Sequence, residues 1–205
     1  MLETYLRPLY QLCIADPIAR CMKNVSPERI TYASCLTGLL VLPALMLNLP
    51  SFAITLLIMS GFLDTLDGTL ARMDNKASNT GCVLDIISDR IVELAIIIGL
   101  FAIDPVHRGW MTLAMLGSCY LCITSFLVVG IFSTNYSKKG FHYSPGLIER
   151  AEAFIFFILM IWLPNYFSIL AGLFTMLVLF TSYLRIKQFI KANETRAETQ
   201  YVPEG

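Results

Sequence analysis

Long apolar stretches, separated by short polar or proline-containing segments, make up most of the chain. Each stretch approaches the length of about 20 residues that a helix needs to cross a hydrocarbon layer of about 30 Å. Six such stretches occur, at residues 30–47, 51–73, 81–103, 107–133, 146–163 and 166–192. The pattern predicts an all-α membrane protein with six transmembrane helices.

The segments at the two ends of the chain have a different pattern. Residues 1–25 mix apolar and charged positions, which predicts an N-terminal amphipathic helix lying at the membrane surface. Residues 26–192 form the predicted six-helix bundle, and the polar residues 193–205 are expected to be a disordered cytoplasmic tail. The connecting segments are too short to hold another domain, so we expect a single domain over residues 1–205.

The composition agrees with a bilayer as solvent. Hydrophobic residues make up 56% of the chain and charged residues only 15%, whereas about a quarter of the residues in a soluble domain are charged. The formal net charge is zero. Because no excess of basic residues is available to neutralise phosphates, we expect no nucleic-acid partner.

The distribution of basic residues predicts an orientation. An even number of spans places both termini on one side, and of the 15 Lys and Arg residues all except Arg108 fall on that side. Basic residues concentrate on the cytoplasmic side of membrane proteins. We therefore expect an integral protein of a bacterial or archaeal inner (cell) membrane, with both termini and the active site facing the cytoplasm.

Four aspartates interrupt the second and third apolar stretches. Asp64 and Asp67 are three residues apart, and Asp85 and Asp89 are four apart, so each pair shares one helical face. The polar segment 74–80 reverses the chain between them. The four carboxylates are therefore expected to meet at a similar depth, near the cytoplasmic surface.

Four neighbouring carboxylates need a cation. A charged side chain within the membrane costs at least about 2.5–3.5 kcal/mol, and oxygen-only ligands suit Mg²⁺ or Mn²⁺ better than zinc. Two such ions could bind a pyrophosphate. Gly68 and Ala71 are one helical turn apart, and their small side chains leave a shallow surface on the helix. Gly81 lies at the start of the next helix, near the positive end of its dipole. Arg72 can bind phosphate oxygens.

These residues together resemble the signature of the CDP-alcohol phosphatidyltransferase family. The pattern is Asp64-x2-Asp67-Gly68-x2-Ala71-Arg72-x8-Gly81-x3-Asp85-x3-Asp89. The resemblance implies an enzyme of phospholipid biosynthesis that moves a phosphatidyl group from a CDP-linked lipid, such as CDP-diacylglycerol, to a small alcohol and releases CMP. It also implies a homodimer with a polar cavity that faces the cytoplasm.

The resemblance further implies roles for particular residues. In the family, the first three aspartates of the motif ligate the metals, and the last is regarded as both a ligand and the general base for the acceptor hydroxyl. Here these are Asp64, Asp67 and Asp85, followed by Asp89. The residues implied to hold the CDP-linked donor are Asp67, Gly68, Ala71, Arg72 and Gly81.

The acceptor alcohol is left open by the sequence. Lys138, Lys139 and Arg150 are candidates for an acceptor pocket. Family members with a phosphorylated acceptor usually carry a basic residue in a Ser-Tyr-x-Arg-like stretch at the end of the fourth span, whereas residues 125–130 contain none. Glycerol 3-phosphate, inositol phosphate and serine are all retained as possible acceptors.

Two other functions use similar residues. A prenyl-type transferase also combines Mg²⁺ with helical aspartates, but it does not need the Gly-Ala-Arg segment and usually has more spans. A divalent-cation carrier should place its ligands at the middle of the membrane, on broken helices, whereas these acids lie near one face.

Overall fold

The computed structural model describes residues 11, 15–22, 25–73, 78–132, 148 and 150–200, without the side chains of residues 194–200. All regular structure in this part of the chain is helical. The helices are α1 (Asp16–Cys21), α2 (Pro27–Leu39), α3 (Val41–Met46), α4 (Pro50–Met73), α5 (Asn79–Ile103), α6 (Pro105–Phe132), α7 (Arg150–Trp162) and α8 (Phe167–Gln200). The prediction of an all-α protein is confirmed.

The first predicted span consists of two helices rather than one. It begins where the sequence predicts, with Ser26 in extended conformation and Pro27 in the first turn. The helix is interrupted at Leu40 and resumes as α3. Pro43 explains the break, because proline has no N–H for the carbonyl of residue 39 and its ring collides with that carbonyl.

Four segments are long and apolar enough to cross a membrane: Pro27–Met46, Pro50–Met73, Pro105–Phe132 and Pro164–Asn193. Helix α5 has sufficient length, but Asp85, Asp89, Arg90 and Glu93 lie within it. Helix α7 covers only 13 residues. Many large apolar side chains are exposed on the outside of the bundle, including Trp110 and Val106, as expected for an integral membrane protein.

Helix α2 lies between α4 and α5 and packs against both. Small residues allow this close approach. The hydroxyl of Ser34 on α2 donates to the carbonyl oxygen of Ser60 on α4 at 2.8 Å, and the hydroxyl of Ser60 donates to the carbonyl oxygen of Ser34 at 2.9 Å. A Cβ atom at Gly38 would lie 2.5 Å from Val92 on α5, so only glycine fits at this crossing.

The apolar core fills one end of the bundle and leaves the other end polar. The buried apolar residues of α4 begin at Ala53, before its aspartates, whereas those of α5 follow its aspartates, from Val92 to Leu100. Phe157 on α7 and Phe174 on α8 meet in this core, with ring centroids 5.4 Å apart. Because α4 and α5 run in opposite directions, their aspartates lie at the same end, which we call the aspartate end.

The two ends of the chain differ partly from the prediction. Helix α1 packs against α4, where Ala19 joins Leu66 and Leu70 in a small apolar cluster; the other residues of segment 1–25 are mostly outside the described part. Helix α8 continues to Gln200, beyond residue 193, where the sequence predicts the start of a disordered tail. The Ala, Glu and Arg residues of segment 193–200 favour helix.

Candidate active site

Three of the four motif aspartates form a cluster at the aspartate end. One carboxylate oxygen from each of Asp64, Asp67 and Asp85 lies within 4.8 Å of the other two. Asp67 is buried, with 5% of its surface exposed, and the other two are partly buried. Carboxylate oxygens alone, without sulphur or imidazole, are the ligands that Mg²⁺ and Mn²⁺ prefer, so this set of residues fits those ions.

The cluster depends on the packing of α2 as well as on the motif spacing. Among the described residues, α4 and α5 pack far more closely on α2 than on each other. This leaves space between α4 and α5 into which the carboxylates extend. Helix α2 also contributes a contact that the motif does not predict, because Thr31 Oγ1 donates to Asp67 Oδ2 at 2.5 Å. This hydrogen bond fixes the orientation of the most buried carboxylate.

The residues implied to hold the donor line the same end of α4. Arg72 is exposed, and its Nη2 donates to Thr69 Oγ1 at 3.3 Å. A Cβ atom at Gly68 would lie 3.4 Å from Arg72 Nη1, so the glycine leaves room for the guanidinium group beside the helix. Ala71 is partly buried. The role of these residues in binding the donor stays a prediction.

Gly81 lies in the first turn of α5, where its backbone N–H donates to Ser78 Oγ at 2.9 Å. Ser78 is therefore the N-cap of α5. The capped helix start lies at the aspartate end, where the positive end of the helix dipole favours an anion.

Asp89 lies outside the cluster of three and pairs with an arginine from a distant part of the chain. Arg150, the first residue of α7, forms ion pairs with Asp89 on α5 and with Asp64 on α4. Arg150 therefore connects the cluster of three aspartates to the fourth motif aspartate. Arg150 is one of the residues that the sequence predicts for the acceptor pocket, and in the structure it contacts the motif residues Asp64 and Asp89 directly. Lys138 and Lys139 lie outside the described residues.

A cavity of about 260 Å³ opens beside Asp89, between α5, α6, α7 and α8. Much of its wall is apolar, with Phe126, Phe174 and Val178 among the lining residues. Its charged lining residues are Asp89, Arg90, Glu93, Arg150 and Arg185. The cavity thus combines apolar walls with a group of charged side chains, and it directly adjoins the residue implied to be the general base.

Three arginines that line this cavity retain hydrogen-bonding capacity. The Nε atoms of Arg90, Arg150 and Arg185 are buried and have no hydrogen-bond partner among the described residues. Leaving a buried donor unsatisfied costs about 1–3 kcal/mol. Three such donors therefore belong to arginines that line one cavity, and an anion with several acceptor oxygens would complement their positive charge.

Arg185 is a site residue that the sequence analysis missed. It comes from α8, and its Nη1 donates to the carbonyl oxygen of Cys122 at 3.1 Å and to Ser125 Oγ at 3.4 Å, both on α6. Its guanidinium carbon lies 5.1 Å from the centre of the Phe126 ring. From the sequence, Arg185 is used only as one of the basic residues that predict the orientation. A basic residue within an apolar stretch is, however, itself a signal of a functional role.

Arg90 and Glu93 also contribute to the cavity. They form an ion pair one helical turn apart on α5, as the sequence spacing suggests. Glu93 is four residues beyond Asp89 and lies on the same face of the helix. Both residues line the cavity; the Glu93 side chain is largely buried, and the Arg90 side chain is 37% exposed.

Comparison with solved structures supports the fold. Phosphatidylinositol phosphate synthase from Mycobacterium tuberculosis, crystallised with CDP-DAG bound, superposes with a TM-score of 0.72 over 86% of this chain and 93% of that chain, at 20% identity. The same enzyme in complex with manganese and citrate gives a TM-score of 0.70 over 86% and 88% of the two chains, at 21% identity. These neighbours share the fold of this chain.

Sequence comparison identifies the family. The chain is 27% identical to the inner membrane protein YnjF of Escherichia coli over 91% of its length and 94% of that protein. It is 33% identical to an archaetidylinositol phosphate synthase of Methanothermobacter thermautotrophicus, covering 68% and 71% of the two chains. It is 29% identical to a phosphatidylinositol phosphate synthase of Corynebacterium glutamicum, covering 69% and 66%. The family model for CDP-alcohol phosphatidyltransferases matches residues 24–184, and the chain belongs to that family.

Proposed function

We propose that this enzyme transfers the substituted phosphate group of a CDP-linked lipid to a phosphorylated polyol of the inositol phosphate class. The observation that supports this acceptor is the cavity where Arg90, Arg150 and Arg185 converge beside Asp89. A phosphate dianion offers several strong acceptor oxygens to arginine donors. Relatives named as phosphatidylinositol phosphate and archaetidylinositol phosphate synthases support the same class.

Membership of the family favours this reaction over the other two functions considered from the sequence. A prenyl-type transferase and a divalent-cation carrier would each use the aspartates, but neither accounts for the complete motif or for the match over residues 24–184. The cavity lined by arginines also argues against a cation carrier, because the positive charge of the arginine side chains would repel the transported cation.

The donor is proposed to be CDP-diacylglycerol or a similar lipid, bound along α4 and the start of α5. A structural neighbour crystallised with CDP-DAG supports this assignment. Asp67, Gly68, Ala71, Arg72 and Gly81 form the proposed binding surface. Asp64, Asp67 and Asp85 would hold Mg²⁺ or Mn²⁺ in a two-metal site with Asp89 as a further ligand, and the bound metal supplies positive charge that makes CMP a better leaving group.

Asp89 is the proposed general base. It takes the proton from the acceptor hydroxyl while the hydroxyl oxygen forms a bond to the β-phosphorus of the donor. The bond between that phosphorus and the bridging pyrophosphate oxygen breaks, and CMP leaves. Arg150 contacts Asp89 and Asp64 at once, so it positions the base relative to the metal ligands and can also contact the acceptor phosphate.

A phosphorylated acceptor is proposed even though segment 125–130 lacks the usual basic residue, because a cation from another helix lies beside this segment. Arg185 approaches this segment from α8 and donates to Ser125 Oγ. The positive charge is therefore supplied to the same place from another helix. Lys138 and Lys139 are kept as proposed contributors to the acceptor pocket.

The test is CMP release by the purified enzyme with CDP-diacylglycerol and Mg²⁺, across inositol phosphate, glycerol 3-phosphate, serine and unphosphorylated inositol. We expect release to depend on inositol phosphate and to stop with EDTA. Release with serine or unphosphorylated inositol, but not with the phosphorylated alcohols, would show that the acceptor assignment is wrong.

We also propose a complete topology of six spans, with α5 and the segment that contains α7 as the two additional ones. The charges of α5 support this because they face the metal cluster and the cavity instead of lipid. Both termini and the aspartate end are proposed to face the cytoplasm, and the enzyme is proposed to be a homodimer in the inner (cell) membrane. Cysteine labelling from each side and cross-linking in membranes test the orientation and the dimer.

A further inference from the structure

Arg108 is a buried cation at the end of the bundle opposite the aspartates. It lies in the first turn of α6, which begins at Pro105, and only 7% of its surface is exposed. The predicted topology assigns every other Lys and Arg to the opposite side of the membrane. Nothing in the transfer reaction accounts for a cation at this position.

The contacts of Arg108 leave most of its hydrogen-bonding capacity unused. Its guanidinium carbon lies 4.4 Å from the centre of the Phe167 ring, and Nη1 donates to the carbonyl oxygen of Leu100 over a long 3.4 Å. A guanidinium group has five N–H donors. Among the described residues, no carboxylate lies within ion-pair distance of it.

Asp104, the nearest acidic residue in the sequence, is engaged elsewhere. Both of its carboxylate oxygens lie within 3.0 Å of His107 Nδ1. This hydrogen bonding lowers the pKa of the Asp104 carboxyl. The hydrogen-bonded pair of Asp104 and His107 is exposed at the surface, whereas Arg108 is buried. The charge of Asp104 acts on Arg108 electrostatically, but no carboxylate among the described residues contacts the buried guanidinium group, so its environment suits an anionic ligand.

A second cavity, of about 170 Å³, adjoins Arg108. Its other walls come from the turn between α3 and α4, the last residue of α5 and the C-terminal part of α7, so the cavity lies at the membrane surface opposite the aspartate end. The walls are mainly apolar, and the amide of Asn48 is the other polar side chain. The residues that line it besides Arg108 are Leu45, Asn48, Pro50, Ile103, Met160, Ile161 and Pro164.

We propose that this cavity binds the phosphate of a phospholipid from the leaflet opposite the aspartate end. The chemistry is complementary, because arginine binds phosphate through charge-assisted hydrogen bonds. The apolar walls suit the glycerol backbone and first methylene groups of a lipid better than a free, fully hydrated anion. Lipid phosphates are also concentrated at the depth of helix ends, where Arg108 lies.

The experiment measures lipid-dependent thermal stability of the full chain in detergent micelles. The melting temperature is recorded with increasing phosphatidylglycerol, with matched uncharged diacylglycerol, and with inorganic phosphate. A ligand that binds only the folded state raises the melting temperature. We expect phosphatidylglycerol to raise it in the wild type and Arg108→Gln to lose most of this increase, with transferase activity within about twofold of wild type.

Two matched variants separate this cavity from other lipid contacts. His107→Gln changes the exposed neighbouring residue and should retain the full lipid effect. Arg72→Gln removes the cation of the proposed donor-binding surface and should also retain it, which excludes binding of the lipid phosphate at that surface as the cause. Because these readouts do not use transferase activity, they test the cavity independently of the proposed function.

Three results would overturn the proposal. An undiminished lipid effect in Arg108→Gln would show that Arg108 has only a structural role, even if the variant is less stable. An equal increase with inorganic phosphate would show a free-anion site. If Arg108→Gln does not fold, Ile103→Trp, at the partly exposed rim, is used to block the cavity, and an unchanged lipid effect in that variant would also refute the proposal.

Discussion

The proposed metal-binding half and the proposed acceptor half of the site are constructed differently. Asp64, Asp67 and Asp85 come from two consecutive helices, and the motif spacing brings them together once both helices pack on α2. Arg150 and Arg185 come from α7 and α8, and they reach the cavity only because four helices pack around it. Site residues that lie close together along the chain can be recognised from their spacing in the sequence. Site residues from remote helices come together only when the protein folds.

The largest expected effect comes from breaking the metal-binding half. Asp85→Asn should reduce CMP release by at least about 10²–10³-fold, the scale seen when a preorganised electrostatic contact is lost, and should weaken Mn²⁺ binding measured by electron paramagnetic resonance. Asp104→Asn, at the opposite end of the bundle, is the control and should be close to wild type. Unchanged Mn²⁺ affinity in Asp85→Asn would contradict the assignment.

Asp89 lies where the two halves of the site meet, so a variant of this residue tests the connection between them. Asp89→Asn should lower kcat by about 10²–10⁴-fold, the range for loss of general acid–base catalysis, while the protein remains folded by circular dichroism. The loss should be in kcat more than in the KM for the donor. Activity near that of wild type would show that another group accepts the proton.

Breaking the acceptor half should give a smaller effect on a different parameter. Arg185→Gln should raise the KM for the phosphorylated acceptor by about 10–100-fold, because a hydrogen bond to a charged group contributes about 1.5–3 kcal/mol. Mn²⁺ binding should not change. Lys187→Gln, an exposed basic residue on the same helix, is the matched control; an equal effect there would point to a general loss of positive charge.

The smallest expected effect comes from the contact between α2 and the motif. Thr31→Val removes the hydroxyl that donates to Asp67 and nearly preserves the side-chain volume. Loss of this hydrogen bond, at about 0.5–1.5 kcal/mol, should weaken Mn²⁺ binding by about 2- to 10-fold in a titration. Thr37→Val is the control, because its hydroxyl bonds only within its own helix at an exposed position. A wild-type affinity in Thr31→Val would show that Asp67 is oriented without it.

The sequence predicted the helical class, the boundaries of most apolar stretches and the motif residues. It did not predict the break at Leu40 or the extension of α8 to Gln200. The six-span count, the orientation and the dimer are predictions that await the experiments above. From the sequence, Arg185 contributes only to the predicted orientation, because spacing along the chain cannot indicate which residue of α6 a side chain on α8 will contact.

The motif spacing alone identifies the family and predicts that each pair of aspartates shares a helical face, because residues three or four apart on a helix lie on one face in any fold. The separation of the two motif helices is visible only in the folded protein, where α2 lies between α4 and α5, Arg150 bridges Asp64 and Asp89, and Arg185 reaches Ser125. Those contacts join residues far apart in the chain. The packing of apolar and small side chains between helices decides which residues meet in such contacts. The two residues of a contact are therefore not separated by a fixed number of positions in the sequence.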